Sequence, residues 1–125
     1  MCIFIGIDFD GTVVRHEYPW VGDDIDAVPV LRRIVKAGHK LILNTMRCEK
    51  ELSDAIGWFE NNGIPLYGVN KNPTQGSWTT SPKVYAEIYI DDAALGCPLI
   101  EPEGERPYVD WIAVEKWFID KGLLS

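Results

Sequence analysis

Short apolar runs that alternate with stretches of helical periodicity restrict the fold of this chain more than any other feature. The runs have the length of buried strands and cover residues 3–8, 40–44, 64–69 and 87–90. Strands that are apolar throughout are typical of a parallel sheet that is covered on both faces. We therefore expect an α/β fold with a central, mainly parallel sheet.

Three helices are expected between and after these strands. Their apolar stripes consist of Val28, Leu31, Ile34 and Val35 in the first helix, Leu52, Ala55, Ile56 and Phe59 in the second, and Trp111, Val114 and Phe118 in the third. We expect Asp24 or Asp26 to cap the first helix and Asp110 to cap the third. Residues 71–82 and 98–107 contain several prolines and predict irregular connections.

Composition excludes several classes of protein. A chain of 125 residues with 46% hydrophobic content predicts one compact domain, residues 1–125. The net charge of −7 argues against a nucleic-acid partner or an anionic membrane surface. No apolar stretch is long enough for a membrane span. The three cysteines lack the spacing of a zinc site or a disulfide framework, and the chain leads into its first strand without a basic leader, so we expect a cytoplasmic protein.

An acidic segment follows the first apolar run directly. Asp8 ends the predicted strand, Asp10 follows two residues later, and Gly11 allows a sharp turn. Two carboxylates this close repel each other unless a cation or a proton lies between them. The pair Asp91-Asp92 after the fourth run adds to the case for a divalent cation.

The ends of the predicted strands also bring distant residues together. Asp8, Thr45 and Asp91 each follow a separate apolar run. Right-handed crossovers place the carboxyl ends of parallel strands at one edge of the sheet, so these residues are expected to converge there. Because open α/β sheets bind their ligands at this edge, it is the candidate functional site.

The sequence resembles the haloacid dehalogenase-like (HAD) superfamily in four motifs. These are Asp8-Phe9-Asp10-Gly11-Thr12, Thr45 after a strand, Lys83, and Asp91-Asp92 after a strand. The resemblance covers most of the chain and implies a three-layer, Rossmann-like α/β/α sandwich. It also implies Mg²⁺-dependent phosphoryl transfer through an aspartyl-phosphate. The intervals between the motifs leave no room for a cap domain, although the resemblance places a small flap after the first motif, in the segment that holds Arg15, His16, Tyr18 and Trp20.

The resemblance further implies the roles of the acidic residues. Asp8 would be the nucleophile, and Asp10 would be the general acid and base. Mg²⁺ would be held by Asp8, Asp91 and the backbone carbonyl of Asp10. Asp92 would either orient a ligand of the ion or bind it through a water molecule.

Phosphate binding is expected from loops at the same edge. The resemblance implies that Thr45 donates its hydroxyl to the phosphate and that Lys83 neutralises the phosphate charge. Gly11 and Met46 belong to the same expected set. Arg47 follows Thr45 closely, so it would contact the phosphate or a second anionic group, or else be a solvated residue at a helix start.

Several of these assignments have alternatives. Lys71 lies just beyond the third predicted strand and would reach the same edge as Lys83. Thr45 would otherwise be a strand-end cap. His16 would touch the substrate or lie in solvent.

The predicted function is that of a small, uncapped phosphatase that hydrolyses a small-molecule phosphomonoester with Mg²⁺. A first alternative is a catalytically idle member of the superfamily that binds a phosphorylated ligand and regulates a partner. A second is a phosphoacceptor resembling two-component receivers, but in those the acidic pair precedes the threonine and the lysine along the chain, whereas here Asp91-Asp92 comes last. The apolar last helix offers a face for a homo-oligomer, or is buried within the monomer.

Overall fold

A computed structural model describes all of residues 1–125. The elements in chain order are β1 (Phe4–Ile7), α1 (Ala27–Lys36), β2 (Lys40–Leu43), α2 (Glu49–Asn61), β3 (Gly68–Val69), a 3₁₀ turn (Gln75–Ser77), β4 (Ile88–Ile90), β5 (Leu99–Ile100), β6 (Tyr108–Val109) and α3 (Trp111–Asp120).

The four strands predicted from the apolar runs form one parallel sheet in the order β3-β2-β1-β4. Strand β1 lies inside the sheet, between β2 and β4. The carboxyl ends of the strands therefore share one edge, with the end of β1 at its middle. The prediction of a Rossmann-like α/β sandwich with a parallel sheet is confirmed.

All three helices contribute to a single core on one face of this sheet. Ile5 and Ile7 of β1 are fully buried there, together with Leu31 of α1, Phe59 of α2 and Phe118 of α3. These residues belong to the apolar runs and stripes of the sequence. The stripes thus define the core because each turns its helix toward the sheet.

The opposite face of the sheet is covered in a different way. Phe4 alternates with the core residues of β1, and its ring centroid lies 5.6 Å from that of Tyr67 and 5.8 Å from that of Tyr85. Gly6 lies on the same face, where an added Cβ would approach the ring of Tyr89 at 2.8 Å. The chain between Tyr67 and Tyr89, which contains the 3₁₀ turn and no long helix, therefore forms this layer.

Two stretches differ from the sequence prediction. Strand β3 contains only Gly68 and Val69 of the predicted residues 64–69. The chain reaches β2 only at Tyr67, whose N–H donates to the Leu41 carbonyl at 2.7 Å. The proline-rich residues after β4 hold an antiparallel pair, β5 and β6, where only an irregular connection was expected. Strands of two residues are too short to leave a period in the sequence.

The N-termini of α1 and α3 show which of the predicted aspartates act as caps. The Asp24 carboxylate accepts hydrogen bonds from the N–H groups of Ala27 and Val28 at 3.0 and 3.3 Å, so Asp24 closes the start of α1. Asp26 instead occupies the left-handed region with φ 71° and makes no side-chain cap. Asp110 accepts from the Ala113 N–H at 3.2 Å and caps α3 as predicted.

Helix α3 divides its apolar residues between core and surface. Trp111 is buried, whereas Trp117 is 43% exposed.

None of the helices has the length and the apolar character that a membrane crossing would require.

Candidate functional site

The predicted site residues lie at the carboxyl edge of the sheet, around the end of β1. Asp8 follows β1 directly, and its N–H donates to the carbonyl of Ile90 in β4 at 3.0 Å. On the other side, the Asn44 N–H donates to the carbonyl of Ile7 at 2.8 Å. These bonds continue the sheet past its last residues and fix the start of each loop that carries a candidate residue.

Three carboxylates meet at this edge. One oxygen each from Asp8, Asp91 and Asp92 lies within 4.8 Å of the others, and all three residues are half-buried. Burial raises the pKa of Asp8 to about 7, and repulsion from Asp91 acts in the same direction. Hydrogen bonds from the Phe9 N–H and the Thr12 hydroxyl act against this rise. A group of carboxylates under such repulsion has the oxygen donors and the charge that a divalent cation requires.

The hydroxyl of Thr12 links this group. Thr12 is fully buried, and its hydroxyl lies 2.9 Å from Oδ2 of Asp8 and 3.2 Å from Oδ1 of Asp92. It also accepts a hydrogen bond from the Asp92 N–H at 3.1 Å. No role was predicted for Thr12, although its place four residues after Asp8 in the first motif was a usable signal.

Gly11 and His16 lie beside the same carboxylates. The backbone of Gly11 has φ 76°, and a Cβ there would come within 1.9 Å of Nε2 of His16 and 2.6 Å of Oδ2 of Asp92. His16 Nε2 pairs with that Asp92 oxygen at 2.9 Å. The His16 ring is therefore a partner of an acidic residue, and neither a free surface group nor an open substrate contact in this structure.

Asp10 is separated from the other carboxylates by its pairing with Arg47. Nε of Arg47 donates to Oδ2 of Asp10 at 2.8 Å, and one terminal nitrogen of Arg47 donates to Oδ1 at 2.7 Å. Two parallel bonds of this kind fix the plane of the carboxylate. The side chain of Asp10 accordingly lies outside the group formed by Asp8, Asp91 and Asp92, and only its backbone remains as a candidate metal ligand.

The structure does not support the prediction that Arg47 binds substrate phosphate. The remaining three N–H groups of its guanidinium donate to backbone carbonyls, those of Pro19, Trp20 and Glu51. All five donors of the side chain are therefore used within the protein. The side chain is 1% exposed, so it is also not a solvated residue at a helix start.

Thr45 and Met46 follow β2 at the same edge. The Thr45 N–H donates to Oδ1 of Asn70 at 2.8 Å, and the Thr45 hydroxyl oxygen accepts from the Arg47 N–H at 3.1 Å. The hydroxyl proton of Thr45 is left without a partner in the protein and is available to a ligand. Met46 is 97% exposed beside it.

The two candidate lysines lie in different clefts. A cleft of about 340 Å³ is lined by Asp8, Asn44, Lys83 and Asp91, among others. Lys71 instead lines a neighbouring cleft, which is formed by polar residues of the chain between β3 and β4 and does not include Asp8. Lys83, and not Lys71, thus lines the same cleft as the nucleophile candidate.

Comparison with known proteins identifies one informative relative. The chain is similar to the solved structure of a conserved protein from Bacteroides thetaiotaomicron, with 32% sequence identity and a TM-score of 0.76 over 97% of this chain and 93% of that one. No model of a known family matches the chain, and no curated protein matches it. The description of the Bacteroides protein names no activity, so the resemblance to the HAD superfamily continues to rest on the motifs.

Proposed function

This chain belongs to the same family as the conserved protein from Bacteroides thetaiotaomicron, and we propose that it is a Mg²⁺-dependent phosphomonoester hydrolase. The observation that carries the proposal is the meeting of Asp8, Asp91 and Asp92 within 4.8 Å, beside a cleft that Asp8, Asp91 and Lys83 line. The four motifs that resemble the HAD superfamily support the same reaction. The substrate class is a small phosphorylated molecule.

The residues present fit the proposed metal. Asp8, Asp91 and Asp92 would hold Mg²⁺, with the backbone carbonyl of Asp10 as a further ligand, because carboxylate and carbonyl oxygens are the donors that this ion binds. When bound, Mg²⁺ supplies positive charge that neutralises the phosphoryl oxygens. Lys83, which lines the cleft beside Asp8 and Asp91, would supply a second positive charge.

In the first step, a carboxylate oxygen of Asp8 attacks the phosphorus, and the bond from phosphorus to the leaving oxygen breaks. The Thr12 hydroxyl lies 2.9 Å from Oδ2 of Asp8 and orients this carboxylate for the attack. Asp10 in its protonated form gives a proton to the leaving alkoxide. Thr45 donates a hydrogen bond from its free hydroxyl to a phosphoryl oxygen and orients the phosphoryl group for attack.

In the second step, Asp10 takes a proton from a water molecule, whose oxygen attacks the phosphorus of the aspartyl-phosphate. The bond between Asp8 and phosphorus breaks, inorganic phosphate leaves, and the Asp8 carboxylate is restored. Asp10 ends the cycle protonated, ready for the next leaving group. No group outside the chain, the substrate, water and Mg²⁺ is needed.

The test is hydrolysis of p-nitrophenyl phosphate by the purified protein, with Mg²⁺ and with a chelator. We expect turnover that requires Mg²⁺ and is lost in Asp8→Asn, because an amide cannot form the covalent intermediate. Asp120→Asn is the matched control: this carboxylate pairs with Lys116 on the surface of α3, and its removal should leave the rate unchanged. Absence of turnover with every phosphomonoester in a metabolite panel would refute the proposal.

One observation favours a second candidate, a catalytically idle protein that binds a phosphorylated ligand. Arg47 engages both carboxylate oxygens of Asp10 and thereby occupies the proposed acid and base. On this alternative, inorganic phosphate and Mg²⁺ bind together in a calorimeter, but no phosphomonoester is turned over. Turnover that depends on Asp10, lost in Asp10→Asn, would exclude it.

A further inference from the structure

Arg47 is buried at the edge of the candidate site and is not part of the acidic group. Its side chain is 1% exposed, and its five N–H donors divide between one carboxylate and three backbone carbonyls. No buried polar side-chain atom of the protein lacks a partner. A cation that is so completely satisfied has a structural or positioning task and no free donor for a ligand.

The guanidinium of Arg47 also lies over two aromatic rings. Its central carbon lies 4.9 Å from the ring centroid of Phe9 and 5.1 Å from that of Tyr18. Phe9 is buried between Asp8 and Asp10, whereas Tyr18 is 60% exposed and belongs to the flap segment, residues 15–20. The rings hold the plane of the guanidinium, so its hydrogen bonds have a defined direction.

The same guanidinium connects the flap segment to Asp10. Two of its N–H groups donate to the carbonyls of Pro19 and Trp20, at 3.3 and 2.7 Å, while two others hold the Asp10 carboxylate. The side chain of Trp20 is 73% exposed, so the flap segment itself offers little buried surface to hold it in place. Arg47 is therefore the fixed point shared by the flap segment and Asp10.

We propose that Arg47 is a positioning residue, which orients the Asp10 carboxylate for proton transfer and ties the flap segment to it. This inference rests on the proposed function, in which Asp10 is the acid and base. A carboxylate has more lone pairs than the two that Arg47 uses, so Asp10 keeps a free side for the leaving oxygen and for water. With 19% of its side chain exposed, Asp10 remains accessible to solvent.

The need for proton transfer depends on the leaving group. This dependence distinguishes a positioning role of Arg47 from a purely structural one. An alkoxide needs a proton in order to leave, whereas p-nitrophenolate leaves as an anion. A misdirected Asp10 therefore slows the first step for an alkyl phosphate and has little effect on that step for an aryl phosphate. The value of kcat/KM reports this step, because it excludes the later attack of water on the aspartyl-phosphate. A structural role of Arg47 would lower both rates by the same factor, since it would only reduce the amount of folded protein.

The experiment compares glycerol phosphate and p-nitrophenyl phosphate as substrates of the wild type and of Arg47→Lys. Lysine keeps the charge but cannot hold a carboxylate by two parallel bonds. We expect kcat/KM for glycerol phosphate to fall about 100-fold and kcat/KM for p-nitrophenyl phosphate to fall less than about threefold. Arg33→Lys is the matched control, because Arg33 pairs with Glu115 between α1 and α3, away from the site, and both of its rates should be unchanged.

The ratio of the two rates remains informative if part of the variant is unfolded, because unfolding lowers both rates equally. Equal losses would overturn the inference while leaving the phosphatase proposal intact. Faster hydrolysis of glycerol phosphate by Arg47→Lys would also overturn the inference. The pairing of Arg47 with Asp10 would then hinder proton transfer and not assist it. A wild type that turns over neither these two substrates nor any phosphomonoester in the metabolite panel would refute the proposed function and this inference together.

A measurement on the wild type covers the case in which the variant does not fold. In nitrogen-15 NMR spectra, the buried Nε–H of Arg47 should give a slowly exchanging resonance that shifts in Asp10→Asn. It should persist when inorganic phosphate and Mg²⁺ are added, because the pair stays intact in the working site. Loss of the resonance on addition of these ligands would contradict the inference.

Discussion

Two independent constraints at position 11 favour glycine. The backbone there has φ 76°, a conformation that costs side-chain-bearing residues about 1–2 kcal/mol. A Cβ would also overlap the His16 ring and an oxygen of Asp92. The turn after Asp10 thus brings the backbone so close to the acidic group that only a hydrogen fits between them.

Gly11→Ala is therefore expected to destabilise the protein by more than about 2 kcal/mol, since backbone strain adds to the displacement of His16 from Asp92. Urea unfolding followed by tryptophan fluorescence measures the change. Gly57→Ala is the matched control, because Gly57 lies within α2 with nothing within 4 Å of the added Cβ. A helical alanine there should stabilise the protein by about 0.5–1 kcal/mol. Equal effects at the two positions would contradict this account of Gly11.

At the scale of elements, the late part of the chain supports the first motif. The Val109 N–H at the end of β6 donates to the Gly11 carbonyl at 3.0 Å. The indole N–H of Trp111, the first residue of α3, donates to the Thr12 carbonyl at 2.7 Å. The hairpin and the last helix thus satisfy the backbone of the turn that holds Asp8 and Thr12.

Replacement of Trp111 by phenylalanine should accordingly cost about 2–4 kcal/mol. It removes the donor from a buried carbonyl and leaves space in the core, where Trp111 is 1% exposed. Trp117→Phe is the control on the same helix, since Trp117 is 43% exposed and its indole N–H makes no hydrogen bond within the protein; its cost should stay within about 0.5 kcal/mol. Thermal unfolding of both variants checks the difference, and similar losses would show that the Thr12 carbonyl gains nothing from the indole.

The elements also show how far the sequence determines this site. Asp8, Thr45 and Asp91 were expected at one edge because each follows a local apolar run, and the parallel sheet places them there. The pairing of Asp10 with Arg47 was not predicted, because it joins residues 37 positions apart through the path of a loop. The nearness of Arg47 to Thr45 placed it at the correct edge, but no local pattern distinguishes a phosphate ligand from a buried partner of Asp10.

At the scale of the whole molecule, the acidic group couples stability to pH and to metal. The protein has a net charge of −7, and three of its carboxylates meet at one site. Folding therefore brings the Asp8 carboxylate to Asp91 and Asp92, from which it lies far apart in the unfolded chain. The cost falls on Asp8, whose pKa is raised by burial and by its acidic neighbours to about 7 in the folded protein, from an ordinary value of 3.8.

Without divalent ions, the wild type should lose stability relative to Asp8→Asn as the pH rises. Between these two pKa values the folded state holds a proton on Asp8 that the unfolded state has released. The contribution of this proton to the free energy of unfolding is complete below about pH 4 and is lost as the pH passes through about 7. The relative loss is at most about 1.4 kcal/mol per pH unit. Mg²⁺ should reverse this loss of stability in the wild type and have little effect on Asp8→Asn, because the ion binds the ionised carboxylates of the folded state alone.

Urea unfolding at a series of pH values between 4 and 8, with Mg²⁺ and with chelator, measures both effects. A constant difference between the two proteins across this range would mean that Asp8 titrates alike in the folded and unfolded states. A wild type that Mg²⁺ does not stabilise would argue that the three carboxylates do not form a metal site.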